Sequence, residues 1–315
     1  MIGYHASHEQ FSPSALLRYA RLAEEAGFEC IHSSDHFQPW SELQGESGYS
    51  FSWLGAALQA TRLPFSVVCT PGYRYNPVIV AQAIATLAEM FPGRFHAELG
   101  SGEAINEVVT ATEWPSKNKR NEKLLQCARL ISDLLQGKSV TLEGEVQTPP
   151  FKLYTLPQTP PPIFGAAISK ETAAWVGEWA DGLLTTADGP DVTREKIQAF
   201  YNKAGEAKPV YVQMAFSYSR SGKEALEGAW EQWKSNMVPR EQLANLSSPQ
   251  QFTAATRHIT VQDVAEKILI FTDIRELIEL IAVYKSMGAT RIFLHNINRQ
   301  QEQFIEDYER HLSGI

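Results

Sequence analysis

Along most of its length the chain alternates short apolar runs with stretches whose apolar residues recur at three- and four-residue steps. The runs fit strands buried on both faces; the periodic stretches fit helices laying one face on a sheet. IGYHAS, FECIHSSD, FSVVCTP, RFHAELG, PPIFGAA, DGLLTTA, PVYVQMAFSYS and RIFLHN read as eight strands. The helices between them carry end signals: Ser12-Pro13 opens the first and Gly27 closes it, Pro77 stands in the first turn of the third, and Gly137 ends the fourth. Strands alternating with helices make a parallel sheet with right-handed crossovers, and eight such units can close into a barrel. The predicted fold is an α/β chain, a single (β/α)8 TIM barrel over residues 1–315, with an open doubly wound sheet as the structural alternative.

The rhythm breaks twice. Residues 138–160 are rich in Thr, Val and Pro and predict a strand pair in an insertion after the fourth unit. Residues 221–288 form a longer helical region, interrupted by Pro239 and Ser247-Ser248-Pro249, with an excursion from the barrel pattern over about 221–260.

Composition narrows the partners. The chain has 36 acidic against 28 basic residues, a net charge of −8, which does not suit a nucleic-acid backbone. No apolar run approaches a bilayer span, and MIGYHASHEQ lacks the basic-then-apolar pattern of a secretory signal. Cys30, Cys69 and Cys127 are scattered, as in a reducing compartment. The expectation is a cytoplasmic protein acting on a small molecule, with neither nucleic acid nor membrane as partner.

In a barrel the chemistry sits on the loops after the strands. The second strand ends in Ser34-Asp35-His36-Phe37-Gln38-Pro39-Trp40, offering a proton-handling imidazole, a carboxylate and an aromatic wall. The plainer reading is a surface turn with a satisfied histidine. His32 and His36 flank Asp35, but their spacing would join ligands on a helix, and this segment reads as strand running into loop, so no metal is expected. The fourth strand ends in Gly100-Ser101-Gly102-Glu103-Ala104-Ile105-Asn106, too short of glycine for a dinucleotide fingerprint yet able to bring backbone close to a flat ligand. Glu103 there is either a presented acid or a helix-start carboxylate near the dipole. Arg74, between two tyrosines after the third strand, meets an anion or stacks at the surface. The fifth strand ends in Ala166-Ala167-Ile168-Ser169, a phosphate cradle or simply a helix cap, with the hydroxyls of Thr185 and Thr186 nearby.

Three ordered blocks resemble the luciferase-like flavin oxidoreductases: residues 34–40, 70–77 (TPGYRYNP) and 100–107 (GSGEAINE). They are most similar to the branch containing the deazaflavin-dependent glucose-6-phosphate dehydrogenases, and the similarity spans nearly the whole chain. The resemblance implies that Asp35, His36 and Trp40 stand beside the reactive ring, with His36 the acid/base or electrostatic group and Glu103 a carboxyl acid near the ring. It implies that Asn106 and Thr70 contact the ring, that Val67-Val68 holds a non-prolyl cis peptide forming a bulge behind it, and that Ala167, Ile168, Ser169 and Thr186 border the cofactor phosphate. Arg257 matches one basic substrate residue of those dehydrogenases, and a homodimer is expected on the same ground.

The departures matter too. Ile168-Ser169 stands where the sugar-phosphate enzymes carry two glycines, and Gly189 where they place a phosphate-binding lysine. One arginine alone leaves a phosphate dianion short of charge-assisted partners, so glucose 6-phosphate is not the expected substrate. The bulk of Ile168 favours FMN as cofactor, with coenzyme F-420 as the alternative. The functional expectation is a flavin-dependent oxidoreductase of the luciferase-like monooxygenase class, by hydride transfer or oxygen-dependent oxidation. An F-420-dependent dehydrogenase of an alcohol or sugar, a non-catalytic flavin-binding protein and a metal-dependent barrel hydrolase are the rivals.

Overall fold

The computed structural model describes residues 1–143, 147–205 and 208–312. Its strands are β1 (Ile2–Ala6), β2 (Cys30–Ser33), β3 (Phe65–Cys69), β4 (Phe95–Leu99), β5 (Ile163–Ala166), β6 (Gly182–Thr186), β7 (Val210–Tyr218), β8 (Ile270–Phe271) and β9 (Arg291–Asn296). β1 to β7 pair in order, β7 pairs with β9, and β9 returns to β1, so eight parallel strands close a barrel. These eight are the apolar runs read from the sequence. The short β8 pairs with Ser217 and Tyr218 at the far end of β7 and stays outside the ring; two residues carry no legible period.

The helices are α1 (Pro13–Glu25), α2 (Ser50–Ala60), α3 (Pro77–Met90), α4 (Ala104–Glu107), α5 (Lys117–Leu135), α6 (Lys170–Gly177), α7 (Pro190–Ala204), α8 (Gly222–Trp233), α9 (Arg240–Leu243), α10 (Pro249–Ala255), α11 (Val261–Lys267), α12 (Ile274–Ser286) and α13 (Gln301–Leu312). Their starts follow local chemistry. Ser12 accepts the Ala15 amide ahead of Pro13, Asn76 the Val78 amide ahead of Pro77, and Ser248 the Gln251 amide ahead of Pro249. Gly27 ends α1 with φ of 87°, a conformation costly for any side chain. No helix among the described residues is long and apolar enough to cross a membrane.

Alternate side chains of each strand face outward and inward. The outward set, including Tyr4, Phe65, Val67, Ala97 and Ile292, packs with helix residues such as Leu16, Ile84, Ile131 and Phe200 in the main core. Inward, a small apolar cluster of Cys30, Phe164, Leu184, Tyr211 and Phe293 shares the interior with a polar layer. Register sets His5 opposite His32, His32 opposite Ser66, and Ser66 opposite His96. Branched apolar side chains usually fill this space, so the layer is unusual.

Two expectations need correction. No peptide bond among the described residues is cis, so Val67-Val68 forms no cis bulge. β3 runs unbroken there because Val67 pairs with Ala97 and Val68 with Glu98, keeping the ladder satisfied; Val68 faces inward beside Ala166. The insertion carries a single antiparallel bridge, Val140 with Phe151, instead of a strand pair, and its residues 144–146 lie outside the described residues. The region 221–288 is helical and interrupted at Pro239 and Ser248 as expected, comprising α8, a 3-10 turn at 234–237, α9, α10, α11 and α12, with the short β8 the element the sequence did not announce.

Candidate active site

The ends of β2, β3 and β4 meet at Arg74, which is paired with Asp35 and bonded to Glu107. Arg74 Nη2 donates to Asp35 Oδ2 at 2.7 Å and to the Asp35 carbonyl at 3.1 Å. Ser50 Oγ and Tyr75 OH donate to the other carboxylate oxygen at 2.7 and 3.0 Å. Arg74 also stacks on Tyr75, 4.3 Å from its centroid, and its amide donates to Glu107 Oε2 at 3.0 Å. The anion that Arg74 meets is therefore internal. Asp35, given to the cofactor by resemblance, uses its carboxylate to fix the β2–α2 segment to the β3–α3 loop.

His36 stands just beyond this knot, half-buried. Its Nδ1 is 3.2 Å from the Gln38 carbonyl and 3.2 Å from Asn106 Nδ2. Asn106 Oδ1 accepts the Phe37 amide at 2.9 Å, which sets the orientation of its amide group. Nδ1 thus faces one acceptor and one donor, and either imidazole tautomer finds a partner. The Trp40 ring lies 5.1 Å from His36 and meets Phe252 edge-on at 5.2 Å. Ile105, Val238 and Phe252 complete its apolar seat. The excursion helices are consequently the wall behind Trp40, which no periodicity announces.

Glu103 is the N-cap residue of α4, yet its side chain makes no capping hydrogen bond. Burial pushes its carboxyl up to about 7, with His36 the chief opposing influence. Burial likewise raises Glu107 to about 7, opposed by Arg74. A carboxyl acid protonated near neutrality suits proton transfer.

One functional candidate escaped the sequence reading. Glu9, in the β1–α1 loop, is buried and accepts from Ser34 Oγ at 2.6 Å. Burial alone would raise it, but His36, His295 and the Ser34 hydroxyl hold it below the ordinary carboxylate range. A charged residue following an apolar strand, in HASHEQ, was its only signal.

At the end of β4, Gly100 leaves room that a side chain would occupy. A Cβ added at Gly100 would meet Ala166 Cβ, Thr70 Oγ1 and the Cys69 carbonyl at 3.8 to 4.0 Å, ordinary contact. Neither packing nor a positive φ demands glycine there, so its missing side chain keeps space open beside Thr70 and Ala166. That cradle fits the face of a planar ring.

The expected phosphate end is differently built. The Ala167 amide donates to the Leu184 carbonyl at 2.9 Å, continuing the ladder, so it cannot serve a phosphate. Ser169 caps α6 by accepting the Thr172 amide at 3.2 Å. Glu171 takes its own amide and the Ser169 hydroxyl, which hold its carboxyl below the ordinary range. Ile168 is 40% exposed. Thr186 accepts from Lys196 Nζ through its carbonyl at 2.6 Å and its hydroxyl at 3.2 Å, while Asp188 pairs with the same ammonium at 3.0 Å. Lys196, in the second turn of α7 among buried Thr193, Ile197 and Phe200, brings a lysine to this strand end where Gly189 supplies none. Arg257 is exposed beyond the end of α10. His32 points into the barrel, away from the loop that carries His36, and separates the supposed metal pair.

A parallel barrel with its proton-handling groups gathered at the strand ends is the architecture of a cofactor-using enzyme. The chain belongs to the luciferase-like monooxygenase family, whose sequence pattern matches residues 2–291, and it is an oxidoreductase of that class. It is 31% identical to the F420-dependent glucose-6-phosphate dehydrogenase of Mycolicibacterium smegmatis, over 99% of this chain and 96% of that protein. Among solved structures it is similar to an F420-dependent secondary alcohol dehydrogenase holding an F420-acetone adduct, with TM-score 0.89, 30% identity, and 98% and 97% of the two chains covered. The F420-dependent tetrahydromethanopterin reductase of Methanopyrus kandleri shares the fold, with TM-score 0.75, 19% identity, and 98% and 97% covered.

Proposed function

We propose that this protein transfers hydride between a non-phosphorylated hydroxyl compound and coenzyme F-420. The observation that carries the reading is the Gly100 opening, bordered by Thr70 and Ala166, in the same mouth as His36 and a Glu103 carboxyl raised to about 7. The sequence leaned toward FMN through Ile168. Relatives named for F420 over nearly their whole length reverse that order, and FMN becomes the alternative.

The bound cofactor would accept hydride from the substrate carbon. With Nδ1–H donating to Gln38, His36 Nε2 can take the hydroxyl proton. Trp40 walls the substrate side, Glu103 holds a proton near neutrality, and Asp35 and Asn106 position the His36 loop. Val68, Thr70 and Ala166 border the ring; Ile168, Ser169 and Thr186 lie toward the cofactor tail.

Charge supports a substrate without phosphate. Arg74 is bound to Asp35 and Lys196 to Asp188 and Thr186, so neither offers a dianion its full charge. Arg257, exposed beyond α10, is the remaining substrate candidate from the sequence.

The test is titration of the purified protein with coenzyme F-420 and with FMN, followed by assays with propan-2-ol and with glucose 6-phosphate. Tight F-420 binding with reduction by the alcohol alone is expected. Binding of FMN alone would replace the cofactor assignment, and binding of neither would end the reading.

A further inference from the structure

The loops that carry His36 and Glu103 both hold one stretch of the excursion, and they hold it by its main chain. The Ala244 carbonyl accepts the amide of Ala104, the residue after Glu103, at 3.1 Å, and Trp114 Nε1 at 2.9 Å. Further along, the Ser247 carbonyl accepts Gln38 Nε2 at 3.3 Å, and the same amide group donates to the Ile105 carbonyl at 2.7 Å. Gln38 belongs to the His36 loop, and its own carbonyl stands 3.2 Å from His36 Nδ1. From the other side, Gln251 of α10 accepts the Ser247 amide at 2.7 Å. Residues 244–247 therefore bridge the two proton-handling loops. Anchors made through carbonyls do not specify side chains, so those of the bridge are open to selection for another task.

Those side chains are apolar where they meet the site. The Leu246 amide bonds to the Gln242 carbonyl at 3.0 Å, continuing the turn of α9, so Leu243 and Leu246 share one face. Both pack on the cluster of Trp40, Ile105, Val238 and Phe252. Trp40 in turn lies 5.1 Å from His36, so an apolar seat begins at the imidazole and continues to the two leucines. A satellite core under a long excursion accounts for Val238 and Phe252, which are fully enclosed. It does not account for Leu243 and Leu246, which stay half-buried, or for Phe37, next to His36 and 52% exposed. Apolar surface left open beside reactive groups is the mark of a ligand seat.

Resting on the reading that a hydroxyl is oxidised here, we propose that Leu243 and Leu246 are specificity-determining residues that seat the apolar substituent of a secondary alcohol longer than propan-2-ol. With its hydroxyl at His36, such a substrate extends its chain along Trp40 to the two leucines. Each methylene removed from water strengthens binding about fourfold. A sugar or other polyol entering the same seat must give up the hydration of its extra hydroxyls to an apolar surface that returns no hydrogen bond.

The anchors explain how the seat keeps its place relative to the chemistry. Because Ala244 is fixed to the residue after Glu103, and Ser247 to the loop of His36, the leucines between and beside them hold a set distance from both groups. A chain that fills the seat is thereby positioned for the reacting carbon, and one that falls short is positioned less well.

The test is the dependence of kcat/KM on chain length, which a merely structural role would not move. The F-420-loaded wild type, Leu243→Ala and Leu246→Ala are assayed with propan-2-ol, butan-2-ol, hexan-2-ol and butane-1,3-diol. In the wild type, kcat/KM is expected to rise about fourfold per added methylene and to drop for the diol. In each variant the rise is expected to shrink to about twofold, so that hexan-2-ol loses about tenfold more than propan-2-ol. Two variants guard against one failing to fold. A wild type indifferent to chain length, a preference for the diol, or variants that lower every alcohol equally would overturn the assignment. In parallel, saturation-transfer NMR of the cofactor-free protein with hexan-2-ol reads the seat directly. Transfer to the alkyl chain that weakens in both variants is expected; no transfer, or transfer unchanged in the variants, would overturn the seat. If the wild type reduces F-420 with no alcohol, the proposed function fails, while the NMR arm still decides whether the leucines hold an apolar chain.

Discussion

Asn106 grips the loop that carries His36: its Oδ1 accepts the Phe37 amide at 2.9 Å, and its Nδ2 stands 3.2 Å from His36 Nδ1. One side chain from α4 thereby sets both the path of the β2 loop and the orientation of the imidazole. Asn106→Ala frees the ring and leaves the Phe37 amide without its acceptor. Turnover is expected to fall about 10- to 100-fold through lost orientation, with F-420 affinity within about twofold. Steady-state kinetics beside a fluorescence binding titration check this; equal losses in both would mean that Asn106 contacts the cofactor itself.

The Asp35–Arg74 pair joins the ends of β2 and β3 with side-chain exposures of 1% and 8%. Asp35→Asn strands a buried guanidinium whose other carboxylate, Glu107, is 3.8 Å away. Removing one partner of a buried pair costs about 3–5 kcal/mol. Urea unfolding should show a loss of that order, and a loss below about 1 kcal/mol would place the pair with exposed ones.

Glu103 and Glu107 are both raised to about 7 by burial. Each is protonated in the folded protein at a pH where the unfolded chain is already ionised. The stability they contribute is present below the ordinary carboxylate range and is lost as pH rises through about 7. Glu103→Gln should flatten this fall, measured as the melting temperature at about pH 5 and pH 8, and should remove the alkaline limb of kcat. A variant as pH-sensitive as the wild type in both would deny Glu103 its raised pKa.

Gly100→Ala places a methyl group where the protein offers only contacts of 3.8 to 4.0 Å. The fold should tolerate it, with a melting temperature near that of the wild type. Cofactor affinity should fall at least about tenfold, the cost of a group intruding on a flat ligand. Undiminished affinity would move the ring away from this opening.

Arg257 is exposed beyond α10. Arg257→Ala is expected to leave propan-2-ol oxidation within about twofold, because one exposed guanidinium contributes little to an uncharged substrate. Saturable, Arg257-dependent oxidation of glucose 6-phosphate would reverse the substrate proposal.

The eight ring strands, most helix boundaries and the polar strand ends were legible because each is a local signal. Apolar runs must be buried, three- and four-residue steps must face a sheet, and Ser-Pro or Asn-Pro must start a helix. The blocks holding His36, Trp40 and Glu103 were visible for the same reason: polar residues directly after an apolar strand have few structural uses. β8 was too short to show a period, and the cis bulge expected at Val67-Val68 gave way to an ordinary ladder. Ala167 looked like a phosphate donor until its amide was found bonded to Leu184.

What the sequence by itself determined is therefore the barrel, the family and the strand ends that carry chemistry, since those follow from neighbours along the chain. Only the tertiary structure decided which groups meet. Asp35 is held by Ser50, Arg74 and Tyr75, Lys196 arrives beneath Thr186 from α7, and Phe252 backs Trp40 from a segment more than half the chain away. Closing the barrel also set His5 of β1 and His32 of β2 against His96 and Glu98 of β4, although in the sequence they are scattered polar residues in separate apolar runs. Contact across a closed sheet depends on register and curvature, and neither is written in the residues on one side of it.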